Sequence, residues 1–166
     1  MPGVGKSTIG RHLARRIGAT FIDTDAMIER RIGCSIRVFF DEHGEPRFRE
    51  IESEILAESV NPQAGVVATG GGIVLSEANR TLLHSRTVCI YLCARPEDLY
   101  RRLRHDSKRP LLQVADPLGR LRELYAERDP LYRQASHYVL DVAHGPLPSL
   151  LSRVLMQLEL SGVIPA

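Results

Sequence analysis

Apolar residues recur at helical and strand spacing along the chain, and the two patterns alternate from the start. The four-residue spacing of apolar side chains over residues 9–17 predicts an amphipathic helix that ends near Gly18. Residues 20–22 form a short apolar run, which predicts a strand. We expect the next helix to begin at a cap formed by Thr24 or Asp25, because short polar side chains satisfy the free N–H groups there.

The alternation continues to the end of the chain. Helical spacing recurs in six further stretches, at residues 36–40, 48–56, 77–84, 96–103, 118–125 and 148–160. Apolar runs of strand length occur at residues 65–69, 87–93 and 138–142. Because strands that alternate with helices form parallel sheets covered on both faces, we expect one α/β domain over residues 1–166.

Composition and charge exclude several classes of protein. Apolar residues make up 43% of the chain and charged residues 25%, as is typical of globular domains rather than disordered ones. The longest near-continuous apolar stretch, residues 87–94, is too short to span a bilayer. A net charge of +2 does not predict a nucleic-acid-binding surface. We therefore expect neither a membrane nor a nucleic acid as a partner.

The rarity of lysine and the number and spacing of the cysteines both bear on the function and location of the protein. Lys6 and Lys108 are the two lysines among 22 basic residues, so a lysine at a given position is an exception. The three cysteines are odd in number and lack metal-ligand spacing; they are Cys34, Cys89 and Cys93. We interpret them as reduced thiols, which indicates a cytoplasmic protein.

The chain begins with the second half of a phosphate-binding loop. Gly5, Lys6 and Ser7 match the end of that motif, in which backbone N–H groups wrap a phosphate at a helix N-terminus. Lys6 would bridge the terminal phosphates and the Ser7 hydroxyl would ligate Mg²⁺, while Gly3 supports the tight backbone path. We expect the first glycine of the motif to lie immediately before Met1.

Two carboxylates follow the first predicted strand. Asp23 and Asp25 flank one residue, so in extended geometry both would project to the same side. One could lie near Mg²⁺ while the other accepts a proton from a substrate hydroxyl. A turn with a helix cap would explain the same pair without any catalytic role.

Arg49 and Glu52 lie three residues apart, which puts both side chains on one helical face. As an ion pair they could hold the guanidinium ready for an anionic substrate. Surface ion pairs at this spacing are common, however, and spacing alone favours that structural interpretation.

Gly70, Gly71 and Gly72 follow an apolar strand. Three successive glycines weaken regular structure, so their use indicates that a ligand or another part of the backbone approaches closely. The alternative is a plain flexible turn.

Two further arginines lie in segments with a possible role at phosphate. Arg109 ends the basic stretch at residues 104–109, where we expect a mobile loop, and Arg128 follows a predicted helix. An arginine on a closing loop can neutralise the charge that develops on a transferred phosphoryl group. Taken singly, these two arginines are interpreted as solvated, as most of the twenty arginines must be.

Together these motifs resemble the shikimate kinase family, small P-loop kinases related in fold to nucleoside monophosphate kinases. The motifs are Gly-Val-Gly-Lys-Ser-Thr, Asp-Thr-Asp, Phe-Arg-Glu-Ile-Glu, Thr-Gly-Gly-Gly, and Arg-Pro-Leu-Leu followed by Arg-Asp-Pro-Leu-Tyr-Arg. The resemblance runs from residue 1 to about residue 160. It implies transfer of the γ-phosphoryl group of ATP to the 3-hydroxyl of shikimate, giving shikimate 3-phosphate and ADP, in the biosynthesis of chorismate and aromatic amino acids.

The resemblance also implies a three-layer P-loop kinase fold with a five-stranded parallel sheet in the order 2-3-1-4-5. Substrate-binding helices would span about residues 24–61, and a lid about residues 104–117. Family members carry a short strand and a glycine before the position of Met1, so we expect the first strand to be absent from this sequence. We expect a cytoplasmic monomer that acts on ATP and shikimate and requires Mg²⁺.

The family's functional positions can be carried over one by one. Those matching the nucleotide site are Gly3, Val4, Gly5, Lys6, Ser7, Thr8, Arg102 and Arg109. Those matching the shikimate site are Asp25, Arg49, Gly70, Gly71, Gly72 and Arg128, with Glu52 orienting Arg49. Asp25 is the candidate base, and Lys6 and Arg109 would act on the transferred phosphoryl group. Ser7 would ligate Mg²⁺ directly, and Asp23 through water.

Two other functions remain open at this point. A P-loop kinase for another small hydroxy acid, such as a gluconate-type kinase, would not depend on Arg49 and Arg128. A truncated, non-catalytic remnant would bind shikimate-like ligands without ATP turnover. An assay with alternative acceptors separates the first from a shikimate kinase, and turnover itself separates the second.

Overall fold

The order of helices and strands follows the predicted alternation. The computed structural model describes residue 1 and residues 3–61, 65–104, 114–142 and 145–165. In chain order the elements are α1 (Lys6–Ile17), β1 (Phe21–Asp23), α2 (Thr24–Ile32), α3 (Ile36–Ser59), β2 (Val66–Ala68), α4 (Glu77–Arg86), β3 (Ile90–Cys93), α5 (Pro96–Leu103), α6 (Pro117–Ala135), β4 (Tyr138–Asp141) and α7 (Leu147–Leu160). A short 3-10 turn, Ile73–Leu75, precedes α4.

The four strands form two parallel pairs. β1 pairs with β2, so that Asp23 lies opposite Ala68, and β3 pairs with β4, so that Cys93 lies opposite Asp141. These pairings confirm the predicted parallel α/β architecture. Among the described residues, no strand pairs with the free edges of β2 and β3 to join the two pairs into one sheet. The predicted five-strand order 2-3-1-4-5 therefore stays a prediction.

An apolar cavity of about 270 Å³ lies between the two strand pairs. Val66 and Ala68 of β2 line one side of it, Ile90 and Leu92 of β3 line another, and α1 and α7 contribute further apolar side chains. α1 packs against β1, β2 and α7, and α7 packs against β4. The two halves of the sheet are therefore joined by helix packing rather than by a continuous backbone ladder.

A second, smaller core lies beneath α2 and α3. Its buried residues are Ile28, Phe39, Phe48, Ile51 and Ile55. α3 turns at Gly44, between the helical stretches predicted at residues 36–40 and 48–56; its φ of 76° is left-handed and is accessible to glycine without strain. This small core fixes the part of α3 that carries Arg49 and Glu52.

Glycines end the first two helices, and the end of the first is where the sequence predicts it. Gly18 and Gly33 follow α1 and α2 with φ values of 68° and 73°, and both are left-handed caps. The predicted cap of α2 is wrong, because Asp23 fills that position. Asp23 is extended, and its Oδ1 accepts hydrogen bonds from the N–H groups of Asp25 and Ala26 at 3.1 and 3.4 Å.

α6 is longer than predicted. The sequence places Arg128 after a helix, whereas α6 continues through Pro130 to Ala135. Proline removes one backbone donor, but the helix gains burial of Tyr132 and Ala135 and an ion pair at 2.7 Å between Arg133 and Asp129, one turn apart. Arg128 therefore lies on a helix rather than on a loop.

Two other predictions need comment. The strand predicted at residues 87–93 begins only at Ile90. Most of the expected lid, residues 105–113 with Arg109, lies outside the described residues. In the part of the chain that the structure describes, no helix has both the length and the apolar character needed to cross a membrane.

Candidate active site

The predicted site residues meet where the parallel pair β1 and β2 ends. Ser7 at the start of α1 donates from its hydroxyl to the Asp23 carboxylate at 2.6 Å. Just beyond β2, the N–H of Gly70 donates to the Thr24 hydroxyl at 3.2 Å. The carboxyl ends of parallel strands form the ligand crevice of such sheets, so this position is typical of a binding site.

The loop before α1 has the backbone conformation of a phosphate cradle. Gly3 and Gly5 are left-handed, with φ values of 77° and 93°, and among the described residues no side chain caps the first turn of α1. A Cβ at Gly3 would also overlap the Leu103 side chain. The start of a helix presents N–H groups that can bind an anion, and the helix dipole favours negative charge there.

Lys6 is the first residue of α1 and brings its ammonium group back over this loop. Its Nζ donates to the Met1 carbonyl at 3.0 Å. Val4 is buried in the main core and Thr8 is exposed, so the loop is anchored on one side and open on the other. The arrangement provides one positive charge and several backbone donors, which suits a triphosphate.

Asp23 has two structural partners. Oδ1 caps α2, and Oδ2 accepts the hydrogen bond from Ser7. A hydroxyl and a carboxylate this close form an oxygen donor pair suited to Mg²⁺, which keeps most of its ligands as water and phosphate. Among the described residues, no three His, Cys, Asp or Glu side chains form a cluster that could hold a metal by themselves.

Asp25 lies in the first turn of α2, not in an extended segment. The predicted geometry, with two carboxylates on one side of a strand, is therefore wrong, because the helix starts at Thr24. The carboxylates still influence each other. Burial by the surrounding protein and the negative charge of Asp23 raise the pKa of Asp25, while Lys6 and Arg49 oppose the rise. A carboxylate of raised pKa is a stronger base than an ordinary one.

Arg49 is held on several sides. Its Nη1 donates to Glu52 at 2.6 Å, and its Nε and Nη2 donate to Glu45 at 3.0 and 2.8 Å. The guanidinium also lies 5.2 Å from the ring centroid of Phe48. Burial disfavours the charge, but the hydrogen bonds to Glu52 and Glu45 raise the pKa of Arg49.

Glu52 is not a surface residue. It is only 2% exposed, so the interpretation of Arg49 and Glu52 as an ordinary surface pair is wrong. Burial raises the pKa of Glu52, and its hydrogen bond and ion pair with Arg49 act in the opposite direction. A buried carboxylate that needs a partner fixes the guanidinium beside it.

The glycine run leaves room for these side chains. A Cβ at Gly70 would lie 2.6 Å from Asp25 Oδ1 and 3.1 Å from Glu52 Oε1, and a Cβ at Gly72 would overlap the Arg49 guanidinium. None of the three described glycines Gly70, Gly71 and Gly72 has a positive φ. Close approach by neighbouring side chains, rather than turn geometry, therefore explains glycine at positions 70 and 72.

Arg128 reaches the same region from α6. Its positive charge opposes the rise in pKa of Glu52, which indicates that the two groups lie within electrostatic range. Among the residues described, its buried Nε has no hydrogen-bond partner, and the nearest carboxylate contact is Glu127 at 3.8 Å. A buried, unpartnered guanidinium nitrogen costs free energy unless an acceptor from a ligand joins it.

The other predicted nucleotide residues lie elsewhere or outside the described part. Arg102 on α5 donates to the Val142 carbonyl at 3.1 Å, at the end of β4. The structure therefore places it beside the end of the second strand pair. Arg109 lies outside the described residues.

The sequence predicts Thr24 only as a helix cap and does not predict its contact with the glycine run. Its side chain is fully buried, and its hydroxyl accepts the hydrogen bond from Gly70 that joins the start of α2 to the glycine run. The signal was present in the Asp-Thr-Asp motif, whose middle residue is polar but follows an apolar strand.

Comparison with known proteins gives one consistent result. The sequence model of the family described as shikimate kinase matches residues 2–159. A shikimate kinase from Paracidovorax citrulli is 54% identical over 170 residues, which cover 99% of this chain and 92% of the relative.

Solved structures agree with the sequence match. A shikimate kinase from Acinetobacter baumannii, in complex with shikimate, superposes with a TM-score of 0.87 at 42% identity, over 96% of this chain and 89% of the other. The structure of a shikimate kinase from Bacteroides thetaiotaomicron superposes with a TM-score of 0.88 at 30% identity, over 95% of this chain and 94% of that chain.

Proposed function

The chain belongs to the shikimate kinase family, and we propose how its residues divide the transfer of the γ-phosphoryl group of ATP to the 3-hydroxyl of shikimate. The products are shikimate 3-phosphate and ADP. One observation carries the proposal: two arginines and two carboxylates from α2, α3 and α6 meet beside a run of glycines. A polyhydroxylated carboxylic acid needs guanidinium groups for its carboxylate and a carboxylate for its hydroxyls.

Arg49 and Arg128 bind the shikimate carboxylate. A guanidinium has five N–H donors, and the bonds to Glu45 and Glu52 use three of those on Arg49. The unpartnered Nε of Arg128 supports this assignment, because the substrate would supply the acceptor it lacks. Glu52 keeps the Arg49 guanidinium in one orientation and is a positioning residue.

Asp25 accepts the proton of the shikimate hydroxyl that attacks the γ-phosphorus. The support is its raised pKa and its position against Gly70, where the backbone can approach a small substrate closely. Gly70, Gly71 and Gly72 form the floor of the pocket. Their lack of side chains lets the substrate lie between Asp25 and the arginines.

The loop before α1 binds the ATP phosphates. Backbone N–H groups of Gly3, Val4, Gly5, Lys6, Ser7 and Thr8 surround the β-phosphate, and the Lys6 ammonium neutralises charge on the group being transferred. Mg²⁺ would be held by the Ser7 hydroxyl and, through water, by Asp23; when bound it offsets phosphate charge. The closeness of these two side chains supports that assignment.

Arg102 and Arg109 complete the nucleotide site. Arg102 lies against adenine, and its anchor on the Val142 carbonyl supports a fixed position at the end of β4. Arg109, outside the described residues, belongs to a lid that closes over the phosphates and excludes water, as the family resemblance implies.

The rest of the architecture is proposed on similar grounds. Residues 1–166 belong to one P-loop kinase domain with the sheet order 2-3-1-4-5. In this order β1 to β4 are strands 2, 3, 4 and 5, and strand 1 lies between β2 and β3, where the apolar cavity separates two strand edges. One chain supplies all of the assigned side chains, which is consistent with a monomer. It is cytoplasmic, which is consistent with its three free cysteines.

A coupled ADP-release assay tests the substrate assignment. Shikimate, gluconate and nucleoside monophosphates are offered as acceptors at saturating MgATP. We expect turnover with shikimate and none above background with the others. Turnover only with an acceptor other than shikimate would overturn the proposal.

A further inference from the structure

Tyr132 makes a long-range hydrogen bond to the glycine run. Its hydroxyl donates to the Gly71 carbonyl at 2.6 Å, although the residues are 61 positions apart. Tyr132 is 8% exposed, and burial raises the pKa of its hydroxyl, so the group keeps its proton at neutral pH. The contact connects α6 directly to the pocket floor.

The tyrosine ring is itself held in place. It stacks on Tyr91 of β3 with ring centroids 4.8 Å apart. The Tyr91 hydroxyl makes a separate bond, to Asp129 at 3.0 Å, so the stack depends on the two rings and not on that hydroxyl. This stack leaves the Tyr132 hydroxyl one defined position relative to the glycines.

The Gly71 carbonyl is bonded differently from its neighbours. The Gly70 and Gly72 carbonyls accept bonds from Ile73 and Leu75 within the following turn, at 3.5 and 3.0 Å. The Gly71 carbonyl instead depends on Tyr132. Glycine peptides rotate readily because they lack Cβ atoms, so an external bond has a large effect on their orientation.

The orientation of this peptide matters at the site. The Gly71 carbonyl and the Gly72 N–H belong to one planar peptide unit, so fixing the first also fixes the second. Gly72 packs directly against the Arg49 guanidinium. Tyr132 also lies one helical turn after Arg128, so one stretch of α6 carries both the arginine and the group that holds the glycines.

We propose that Tyr132 is a positioning residue for shikimate, because its hydroxyl holds the peptide between Gly71 and Gly72 in register with Arg128 and Arg49. The proposal rests on the assignment of the glycine run and both arginines to shikimate. It assigns no contact between Tyr132 and the substrate. Its effect is on acceptor binding and not on nucleotide binding.

Tyr132→Phe tests the proposal, with Tyr91→Phe as the matched control. Each change removes one buried tyrosine hydroxyl and keeps the stacked rings, but only Tyr132 bonds to the glycine run. We expect KM for shikimate to rise about three- to tenfold in Tyr132→Phe, with KM for ATP within twofold of wild type. Tyr91→Phe should leave both constants within twofold.

Several outcomes would overturn the proposal. A purely structural role for Tyr132 would lower the melting temperature and the active fraction, changing kcat while leaving both KM values alone. Equal effects of the two substitutions on KM for shikimate would also contradict it. Calorimetric titration with shikimate and amide hydrogen exchange at residues 70–73 give two readouts that do not require turnover, and both should change in Tyr132→Phe alone.

Failure of this proposal is distinguishable from failure of the substrate assignment. If the wild-type chain binds shikimate and Tyr132→Phe binds it equally well, only the role of Tyr132 is wrong. If the wild type neither binds nor phosphorylates shikimate while it turns over another acceptor, the assignment on which the proposal rests is wrong.

Discussion

The two halves of the proposed active site, one for shikimate and one for the nucleotide, are built by different means. In the shikimate half, side chains position one another: Glu45 and Glu52 hold Arg49, and Thr24 holds Gly70. In the nucleotide half, backbone conformation does most of the work, with Gly3 and Gly5 in left-handed positions before a helix. A small acid requires directional donors, whereas a triphosphate requires a concave surface of N–H groups and positive charge.

The two halves also differ in how much they reduce the stability of the free protein. The shikimate half gathers buried charges of both signs, and burial raises the pKa of both Asp25 and Glu52. Such groups reduce stability until a ligand joins them. The nucleotide half relies on helix N–H groups that water can also satisfy, so its construction has a smaller energetic cost.

The largest effect is expected from Lys6→Ala. Loss of the ammonium group should lower kcat by about a thousandfold or more, because charge stabilisation of the transferred group dominates this chemistry. Shikimate affinity, measured by calorimetry without nucleotide, should stay within twofold of wild type. Arg15→Ala, which removes a cation from the exposed last turn of the same helix, is the control. A large loss of shikimate affinity in Lys6→Ala would contradict the assignment of Lys6 to the nucleotide half alone.

Asp25→Asn should have the next largest effect. Removal of the base should lower kcat about 10²- to 10⁴-fold with ATP binding preserved. Asp41→Asn, at an exposed position on α3, is the matched control and should leave steady-state kinetics unchanged. Retention of more than a tenth of the wild-type kcat would show that another group accepts the proton.

The same substitution should stabilise the free protein. The pKa of Asp25 is raised, so the folded protein binds this proton more tightly than the unfolded chain, and stability falls as pH rises through the folded pKa. Asp25→Asn removes that loss. The gain in melting temperature over wild type should be larger at pH 7 than at pH 4, where the native carboxyl is closer to neutral. A gain independent of pH would contradict the assigned cause.

A small effect is expected from Arg102→Ala. If the guanidinium lies against adenine, its loss should raise KM for ATP about two- to fivefold and leave KM for shikimate unchanged. Arg101→Ala, at the neighbouring and highly exposed position on α5, should change neither constant. A change in KM for shikimate alone would contradict the assignment of Arg102 to the nucleotide half of the site.

The parts of the fold that could be predicted from the sequence are those that depend on residue spacing within one helix or strand. The spacing of Ile9, Leu13 and Ile17 and the glycine after them define α1 without reference to the rest of the chain. The Arg49 and Glu52 pair follows in the same way from their three-residue spacing. That Glu52 is buried could not be predicted, because its burial depends on packing by the distant glycine run.

The misplaced elements show where local rules fail. Pro130 indicates a helix end, yet α6 continues because Tyr132 and Ala135 are buried against the core. Asp23 caps α2 because it is the last residue of β1 and has an extended conformation. From the sequence alone, Thr24 or Asp25 is expected to be the cap. The bond between Tyr132 and Gly71 joins positions 61 residues apart, and no local pattern indicates it.

Shikimate binding by Arg49→Ala is the most direct test of the site assignment. Calorimetric titration compares wild type, Arg49→Ala and Arg49→Lys, with Arg47→Ala as an exposed arginine control on the same helix. We expect shikimate affinity to fall at least about thirtyfold in Arg49→Ala and less in Arg49→Lys, which keeps the charge but loses the planar fork. ATP affinity should not change. Equal shikimate affinity in wild type and Arg49→Ala would contradict the account.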